Sequence, residues 1–293
     1  MSVPGWRASS PEVLRTVTVG GRTLRVSIRR GDGSLPPLLL MNGIGASLEV
    51  LQPFVDALDP RREVIRFDVP GVGGSPRPVM PYTMITFAPV VAGLLTEVGH
   101  PGPVDVLGFS WGGGLAQQFA VQHRKRCRRL VLAATGTGTV MVPASPRVLA
   151  RMLTPRRHRD PGYTRRIAGE IYGGTMRAHP ERAAEALHSS SRLGPQRGYY
   201  YQLAAGAGWT SLPLLRLIRQ PTLVVAGDDD PIIPAVNPRL MARLIPDACL
   251  HLYHGGHLAL VTEAGELAPV VEHFLDRDDA DPRLSARAPG RPH

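Results

Sequence analysis

The sequence predicts an α/β protein with a mostly parallel central sheet and helices on both faces. Short apolar runs alternate with segments of helical periodicity along the chain. Each run is apolar at nearly every position, as in strands that are buried on both faces by helix layers. The 293 residues, 43% of them hydrophobic, are enough to bury a sizeable core.

The predicted elements of the first half begin with a hairpin. Residues 16–29 alternate apolar and polar positions around Gly20 and Gly21, which predicts two antiparallel strands joined by a tight turn. Beyond the hairpin the alternation ends. Strands are then predicted in the apolar runs 36–45, 63–74, 104–110 and 128–135, and helices at 47–59 and 111–123.

The regular alternation stops between residues 136 and 219. This segment is rich in arginine, proline and glycine, and its predicted helices do not alternate with strands. It predicts a helical lid inserted above the sheet. The alternation then resumes with strands near 222–227 and 249–253 and helices near 237–245 and 263–275. The predicted α/β core therefore comprises residues 1–135 and 220–277, with the lid at 136–219 and a disordered tail at 278–293.

Composition excludes several classes of protein. Two cysteines, Cys127 and Cys249, are too few for a disulfide framework, which favours a reducing cytoplasm. The sequence shows neither a signal peptide nor a transmembrane run. The net charge is +10, but the basic clusters at 123–129 and 154–159 have no interleaved aromatic residues and no nucleic-acid-binding motif. We interpret the first cluster as the solvated end of a helix and expect no nucleic-acid partner.

One serine stands between glycines at the end of a predicted strand, in Gly108-Phe109-Ser110-Trp111-Gly112. The pattern G-x-S-x-G between a strand and a helix is typical of a nucleophile elbow, a tight turn that lifts a serine hydroxyl clear of the sheet. Gly108 and Gly112 leave room for a strained backbone, and the following helix directs its positive end at the turn. We predict that Ser110 is a nucleophile, with a purely structural glycine turn as the alternative.

A serine nucleophile needs a histidine to take its proton and a carboxylate to orient that histidine. Asp230 precedes a proline at the end of an apolar strand, and a following proline favours extended backbone. His257 follows a Gly-Gly turn after the last predicted strand. We predict that Asp230 and His257 fill these roles. Spacing alone leaves four rivals open: Asp228, Asp229, His251 and His254.

The backbone N–H groups of Ile44 and Trp111 are the predicted oxyanion donors. Trp111 follows the serine, and Ile44 lies in the glycine loop at 42–45 after an earlier strand. No metal or organic cofactor is expected, because the sequence has no Walker loop, zinc spacing or calcium loop. The stretch "GVGGSP" also fails the dinucleotide-binding pattern.

Eight motifs lie between Leu38 and Leu275: "NGIGASLEVLQPF", "FDVPGVGGSP", "DVLGFSWGGGLAQQFA", "RLVLAAT", "GYYYQL", "GWTS", "IRQPTLVVAGDDDPIIP" and "GGHLAL". With these motifs the chain resembles the α/β-hydrolase superfamily, and within it the intracellular poly(3-hydroxyalkanoate) depolymerases of medium-chain-length type. Asn42 replaces the histidine of many hydrolases, and the depolymerase group commonly has asparagine there.

This resemblance implies an α/β-hydrolase fold and hydrolysis of ester bonds in a storage polyester of 3-hydroxy fatty acids, at the surface of cytoplasmic granules. The same framework serves small-ester or lactone hydrolases and carbon–carbon bond hydrolases or perhydrolases, because function depends on the pocket. A granule-binding or ligand-sensing protein without catalysis is a further alternative. The intact serine, histidine and aspartate favour an enzyme.

Overall fold

The computed structural model describes residues 12–188, 192 and 194–277, so the predicted tail at 278–293 lies outside the described residues. In this part of the chain eight strands form one sheet. The strands are β1 Glu12–Val19, β2 Arg22–Arg29, β3 Leu38–Met41, β4 Val64–Phe67, β5 Val104–Phe109, β6 Cys127–Ala133, β7 Thr222–Gly227 and β8 Ala248–Tyr253.

The strand order across the sheet is β1-β2-β4-β3-β5-β6-β7-β8. β1 and β2 pair antiparallel, as do β2 and β4, and all remaining pairs are parallel. The predicted mostly parallel sheet is therefore confirmed. The predicted hairpin is confirmed as well, with Gly20 and Gly21 at φ values of 55° and 71° in its two-residue turn.

Helices connect the parallel strands and cover both faces of the sheet. They are α1 Gln52–Ala57, α2 Met84–Glu97, α3 Trp111–Gln122, α4 Pro146–Met152, α5 Pro161–Tyr172, α6 Pro180–His188, α7 Gln196–Gly206, α8 Val236–Leu244, α9 Ala259–Thr262 and α10 Ala264–Leu275. The predicted helix at 47–59 is in fact a short 3-10 turn, Leu48–Leu51, followed by α1. Pro53 is the second residue of α1 and lies in its first turn, where a proline is tolerated because the backbone N–H groups of this turn have no partner within the helix.

The side chains of β3 pack alternately into two hydrophobic clusters, one on each face of the sheet. In β3, Leu38 and Leu40 pack into the cluster that contains α1, α9 and α10, whereas Leu39 and Met41 pack into the cluster that contains α2 and α3. All four side chains are buried. Consecutive strand residues point to opposite faces, so a strand buried on both sides must be apolar throughout.

The residues between β6 and β7 contain α4, α5, α6 and α7. The two ends of this segment meet, because Gly138 and Thr210 form an isolated antiparallel bridge and Thr139 N donates to Trp209 O at 2.8 Å. The segment therefore leaves and re-enters the core at one place. Its limits at residues 136 and 219 stay a prediction.

The basic cluster at 123–129 differs from our interpretation of a solvated helix end. Arg128 and Arg129 lie in β6, where Arg128 Nη2 donates to Asp105 Oδ2 at 2.6 Å and Arg129 Nη1 donates to Phe274 O at 2.9 Å. Burial raises the pKa of Asp105 to about 6, against the opposing effect of Arg128. These arginines connect β6 to β5 and α10, so part of the positive charge serves the fold.

Within the described residues, none of the helices combines the length and the apolar character that a membrane crossing requires.

Candidate active site

The predicted site lies where the connections of the sheet change direction. β3 is flanked by β4 on one side and β5 on the other, so the loops that follow β3 and β5 leave a crevice between them. Met41 at the end of β3 pairs with Gly108 near the end of β5. Open α/β sheets bind ligands at such a position, beyond the carboxyl ends of the strands.

Ser110 occupies the turn between β5 and α3 in a strained conformation, with φ 54° and ψ −117°. A non-glycine residue with positive φ costs about 1–3 kcal/mol, so the surroundings must hold it in place. Ser110 N donates to Ala133 O at 2.9 Å, and the carbonyl of Ser110 accepts from Thr135 Oγ1 at 2.7 Å and Gly113 N at 2.9 Å. These bonds fix the backbone and leave the side chain at the crevice.

The glycines around Ser110 are required by close backbone contacts. A Cβ on Gly112 would fall on the carbonyl oxygen of Met41, and a Cβ on Gly108 would fall on the backbone of Gly112 and Gly113. The helix start therefore packs directly on β3 and β5. This packing explains why the sequence has glycine on both sides of the serine.

Ser110, His257 and Asp230 are brought together by the fold. The Oγ of Ser110 lies 3.0 Å from His257 Nε2, and His257 Nδ1 lies 2.7 Å from Asp230 Oδ2. The carboxylate can only accept, so Nδ1 carries a proton and Nε2 is the acceptor for the serine hydroxyl. Asp230 Oδ1 accepts the N–H groups of Ile232 and Ile233 at 2.8 and 3.0 Å, which keeps the carboxylate oriented.

The other two aspartates of the run 228–230 point elsewhere. Asp229 receives two hydrogen bonds of 2.7 Å from the guanidinium of Arg177 and a third from Gly174 N. Asp228 is paired with His254 Nδ1 at 3.0 Å. Successive residues leave the strand end in different directions, so only Asp230 reaches His257.

The rival histidines are also separated from Ser110. His251 lies in β8 with its ring near that of Tyr253, at a centroid distance of 6.5 Å. His254 exposes 95% of its side chain to solvent. His257, by contrast, is 4% exposed, and its backbone N–H donates to the backbone carbonyl of Tyr172 at 2.7 Å. A loop anchored to α5 therefore holds the imidazole over the sheet.

The two predicted oxyanion donors lie on either side of the crevice. Trp111 N is the first N–H of α3, which has no acceptor within its own helix. Ile44 follows Gly43 in the loop after β3, where Asn42 Oδ1 accepts from Gly43 N and Asn42 Nδ2 donates to Ser47 O, both at 2.7 Å. The side chain of Asn42 therefore fixes the conformation of this loop through two hydrogen bonds to its backbone.

Gln202 of α7 is a residue that the sequence analysis did not single out. Its side-chain oxygen accepts from Gly45 N at 2.7 Å, and its backbone carbonyl accepts from Trp111 Nε1 at 2.8 Å. One buried residue thus connects both segments that carry the predicted oxyanion donors. The stretch "GYYYQL" contained this glutamine, but no spacing rule linked it to the loop at 42–45.

A cavity opens above Ser110 and His257. Its walls are mostly apolar, with Ile44, Phe109 and Leu258 on the core side. The segment between β6 and β7 contributes five residues, none of which the sequence analysis named as a site residue: Met152, Arg157, His158, Tyr172 and Leu187. An apolar cavity with few polar groups suits an ester with aliphatic side chains.

A serine hydrogen-bonded to a histidine, itself hydrogen-bonded to an aspartate, at the carboxyl edge of a parallel sheet defines the hydrolase class of α/β proteins. The chain belongs to the alpha/beta hydrolase fold family, whose model matches residues 36–264.

Comparison with individual proteins gives the same family. The chain is 51% identical over 269 residues to a poly(3-hydroxyalkanoate) depolymerase of Ectopseudomonas oleovorans, which covers 92% of this chain and 94% of that protein. A hydrolase from Pseudomonas aeruginosa matches with a TM-score of 0.75 and 27% identity over 90% of this chain and 98% of that one. The enol-lactonase of Burkholderia xenovorans matches with a TM-score of 0.75, 24% identity and 90% and 100% coverage.

Proposed function

We propose that this protein hydrolyses the ester bonds of a medium-chain-length poly(3-hydroxyalkanoate), with Ser110, His257 and Asp230 as its catalytic groups. The observation that carries the substrate is the 51% identity to the Ectopseudomonas oleovorans depolymerase over nearly the full length of both chains. The hydrogen-bonded series from Ser110 to Asp230 supports ester cleavage, because it is the arrangement that activates a serine hydroxyl.

In the proposed reaction, His257 Nε2 takes the hydroxyl proton as Ser110 Oγ attacks the ester carbonyl. Asp230 stabilises the imidazolium that forms, and the N–H groups of Ile44 and Trp111 donate to the oxyanion. Collapse breaks the C–O bond, and His257 returns the proton to the leaving alkoxide. Water then attacks the acyl-enzyme by the same route, which releases the acid and restores the serine. The cycle requires no metal or organic cofactor.

We further propose that the protein works in the cytoplasm at the surface of storage granules. Several large apolar side chains between residues 140 and 153 are exposed to solvent, with Leu153 at 61% exposure. The others are Val140, Val142 and Leu149. Clustered apolar side chains on a surface are typical of an interaction site. A hydrophobic polymer surface is a fitting partner for this stretch, and no nucleic-acid or membrane-spanning role is part of the proposal.

The test uses purified full-length protein and an aqueous latex of amorphous medium-chain-length polymer. We expect the latex to clear with release of 3-hydroxy acids, faster than soluble short-chain esters are cleaved at equal ester concentration. Ser110→Ala is expected to lower both rates by at least about three orders of magnitude. The substitution removes one oxygen atom at a partly exposed position, so the variant should fold.

Unchanged turnover in Ser110→Ala would rule out catalysis through this site. Rapid cleavage of short esters or lactones without clearing of the latex would replace the polymer by a small ester as substrate. Binding of the latex without turnover of any ester would instead indicate a granule-binding or ligand-sensing protein.

A further inference from the structure

Arg157 is a buried cation in the wall of the cavity above Ser110. It is 3% exposed, and it lies in the 3-10 turn Pro155–His158 before α5. Its Nη1 donates to Tyr199 Oη at 2.7 Å, and the guanidinium stands 5.4 Å from the centre of the Tyr199 ring. Among the described residues, no carboxylate lies within ion-pair distance of this guanidinium.

A buried charge without a counter-ion is costly to retain for structure alone. The other arginines buried in this chain have carboxylate or carbonyl partners: Arg62 pairs with Asp105 and Asp276, and Arg66 pairs with Glu12. Arg157 differs from them because its fixed partner is a neutral tyrosine.

Two further polar groups lie near Arg157. The hydroxyl of Tyr172 lies beside the guanidinium but makes no hydrogen bond of good geometry with any described residue, although Tyr172 is 2% exposed. His158 is also buried, and its ring lies against the loop after β3, where it interacts with the backbone of Ile44. Burial and the neighbouring Arg157 hold the pKa of His158 well below its ordinary value, so this imidazole is neutral.

All three residues line the cavity that also contains Ser110 and His257. Buried polar groups in proteins are almost always hydrogen-bonded, and buried charges are almost always paired. A buried guanidinium without a carboxylate, beside a tyrosine hydroxyl without a well-formed hydrogen bond, therefore indicates a ligand with oxygen atoms in this cavity. A guanidinium prefers a carboxylate, which it can bind through two parallel N–H···O bonds. The Tyr172 hydroxyl can donate one more hydrogen bond to the same anion.

Tyr172 and His257 are neighbours in the wall of the cavity, where the backbone carbonyl of Tyr172 accepts the backbone N–H of His257 at 2.7 Å. In the proposed reaction His257 returns the proton to the leaving alkoxide. We therefore place the carboxylate beside Tyr172, on the leaving-group side of the attacked carbonyl. In a 3-hydroxy acid the carboxylate lies two carbon atoms beyond the carbon that bears the leaving oxygen, so one unit spans the short distance between the two places.

We propose that Arg157 and Tyr172 form a subsite for the free carboxylate at the end of the polyester chain, so that the enzyme releases 3-hydroxy acids one at a time from the carboxyl end. This inference rests on the proposed function and adds direction and position of attack to it. Each cleavage exposes a new terminal carboxylate on the shortened chain, which then binds in the same subsite.

The test compares two substrates on wild-type protein: the linear dimer of 3-hydroxyoctanoate with a free carboxylate, and the methyl ester of that dimer. Release of the leaving unit is followed by chromatography, and kcat/KM is determined for each. Hydrogen bonds to a charged group contribute about 1.5–3 kcal/mol, so we expect the free acid to be preferred by about 10-fold to 150-fold. Equal kcat/KM for acid and methyl ester in the wild type overturns the proposal without any variant.

Variants then assign the preference to its residues. In Arg157→Met the ratio of acid to methyl ester is expected to fall to about one, and in Tyr172→Phe it should fall partway. Arg156→Met is the matched control: it removes the same charge from the adjacent, exposed residue, which contacts Asp160 rather than the cavity, and the ratio should stay at the wild-type value. An unchanged ratio in folded Arg157→Met overturns the proposal.

The two proposals fail in different ways. If the latex is not cleared but the dimer acid is still preferred over its methyl ester, the polymer function is wrong and the carboxylate subsite stands. If the latex is cleared but both dimers react alike, the polymer function stands and the subsite is wrong. Tyr172→Phe keeps the ring that packs in the core, so the test does not depend on the folding of Arg157→Met.

Discussion

The Oγ of Ser110 and the Nε2 of His257 lie 3.0 Å apart, although 147 positions separate the two residues in the chain. β5 carries the serine and the loop after β8 carries the histidine, and two further strands, β6 and β7, lie between them in the sheet. The contact forms because the loop after β8 turns back over the sheet and is held by α5 through Tyr172 O. The reactive pair therefore depends on the segment between β6 and β7 as well as on the core.

Asp230→Asn is expected to lower kcat for an ester substrate by about four orders of magnitude, because an amide in place of the carboxylate favours the wrong tautomer of His257. The measurement is kcat on a soluble p-nitrophenyl ester. Asp228→Asn and Asp229→Asn are the matched controls, since their carboxylates are directed at His254 and Arg177 and not at His257. Both controls should retain most of the activity, and an equally large loss in Asp229→Asn would reassign the acid.

His254 should titrate above the ordinary range of a histidine. Asp228 raises the pKa of His254 through a hydrogen bond and its charge, and it does so at a fully exposed position. A folded-state pKa above the unfolded value means that the pair stabilises the fold below about pH 6.5 and that this contribution is lost as the pH rises through the raised pKa.

An NMR titration of the His254 ring measures this effect directly. In Asp228→Asn the pKa of His254 should return toward its ordinary value. A His254 pKa that is the same in both proteins would contradict the pairing.

The sequence predicted the sheet and the nucleophile Ser110 because the patterns that indicate them lie in adjacent residues. The strand, the G-x-S-x-G turn and the helix that follow one another around Ser110 are encoded in adjacent residues. α2 gave no such signal: its residues 84–97 are apolar nearly all round, and Pro89 lies inside it, so neither periodicity nor propensity marks a helix there. It is a helix because tertiary packing between β1 and α3 outweighs local preference.

The residues that line the cavity could not be predicted from the sequence, for a different reason. Arg157 lies in a run of arginines, "TPRRHR", where its exposed neighbour Arg156 has the same side chain. Nothing in the pattern distinguishes the arginine that turns inward from the one that turns to solvent. The sequence could not decide among Asp228, Asp229 and Asp230 for the same reason. The direction of each side chain depends on a partner that is distant in the chain or in another element.

Gly112→Ala is expected to destabilise the protein by about 1–3 kcal/mol, because the added methyl group would overlap the backbone of Met41 and Asn42 and force the helix start away from β3. Gly265→Ala is the matched control. Gly265 lies in the first turn of α10 with nothing within 4 Å of the position of a Cβ, so this change should stabilise by about 0.4–1 kcal/mol. Urea unfolding measures both, and equal effects of the two substitutions would show that the close packing at Gly112 is not rigid.

Gln202→Leu is expected to lower kcat about tenfold with little change in KM. The substitution removes the acceptor for Gly45 N and loosens the loop that carries Ile44 N, while the carbonyl that holds Trp111 Nε1 remains. Complete loss of one oxyanion donor lowers kcat by about two to three orders of magnitude, so a donor that is only displaced should lower kcat by a smaller factor. The ground-state substrate is not held by the oxyanion donors, which is why KM should stay constant.

Gln118→Leu is the control for Gln202→Leu. Gln118 is also a buried glutamine that accepts from an indole, Trp209 Nε1 at 2.8 Å, but it lies about two turns along α3 from Trp111 and its side chain bonds to Trp209 rather than to the loop at 42–45. Gln118→Leu should therefore reduce the unfolding midpoint and leave kcat unchanged. If Gln202→Leu also changed only the unfolding midpoint, Gln202 would serve the packing of α7 alone. A fall in kcat at constant KM, seen only in Gln202→Leu, would identify it as the residue that positions the donors from across the cavity.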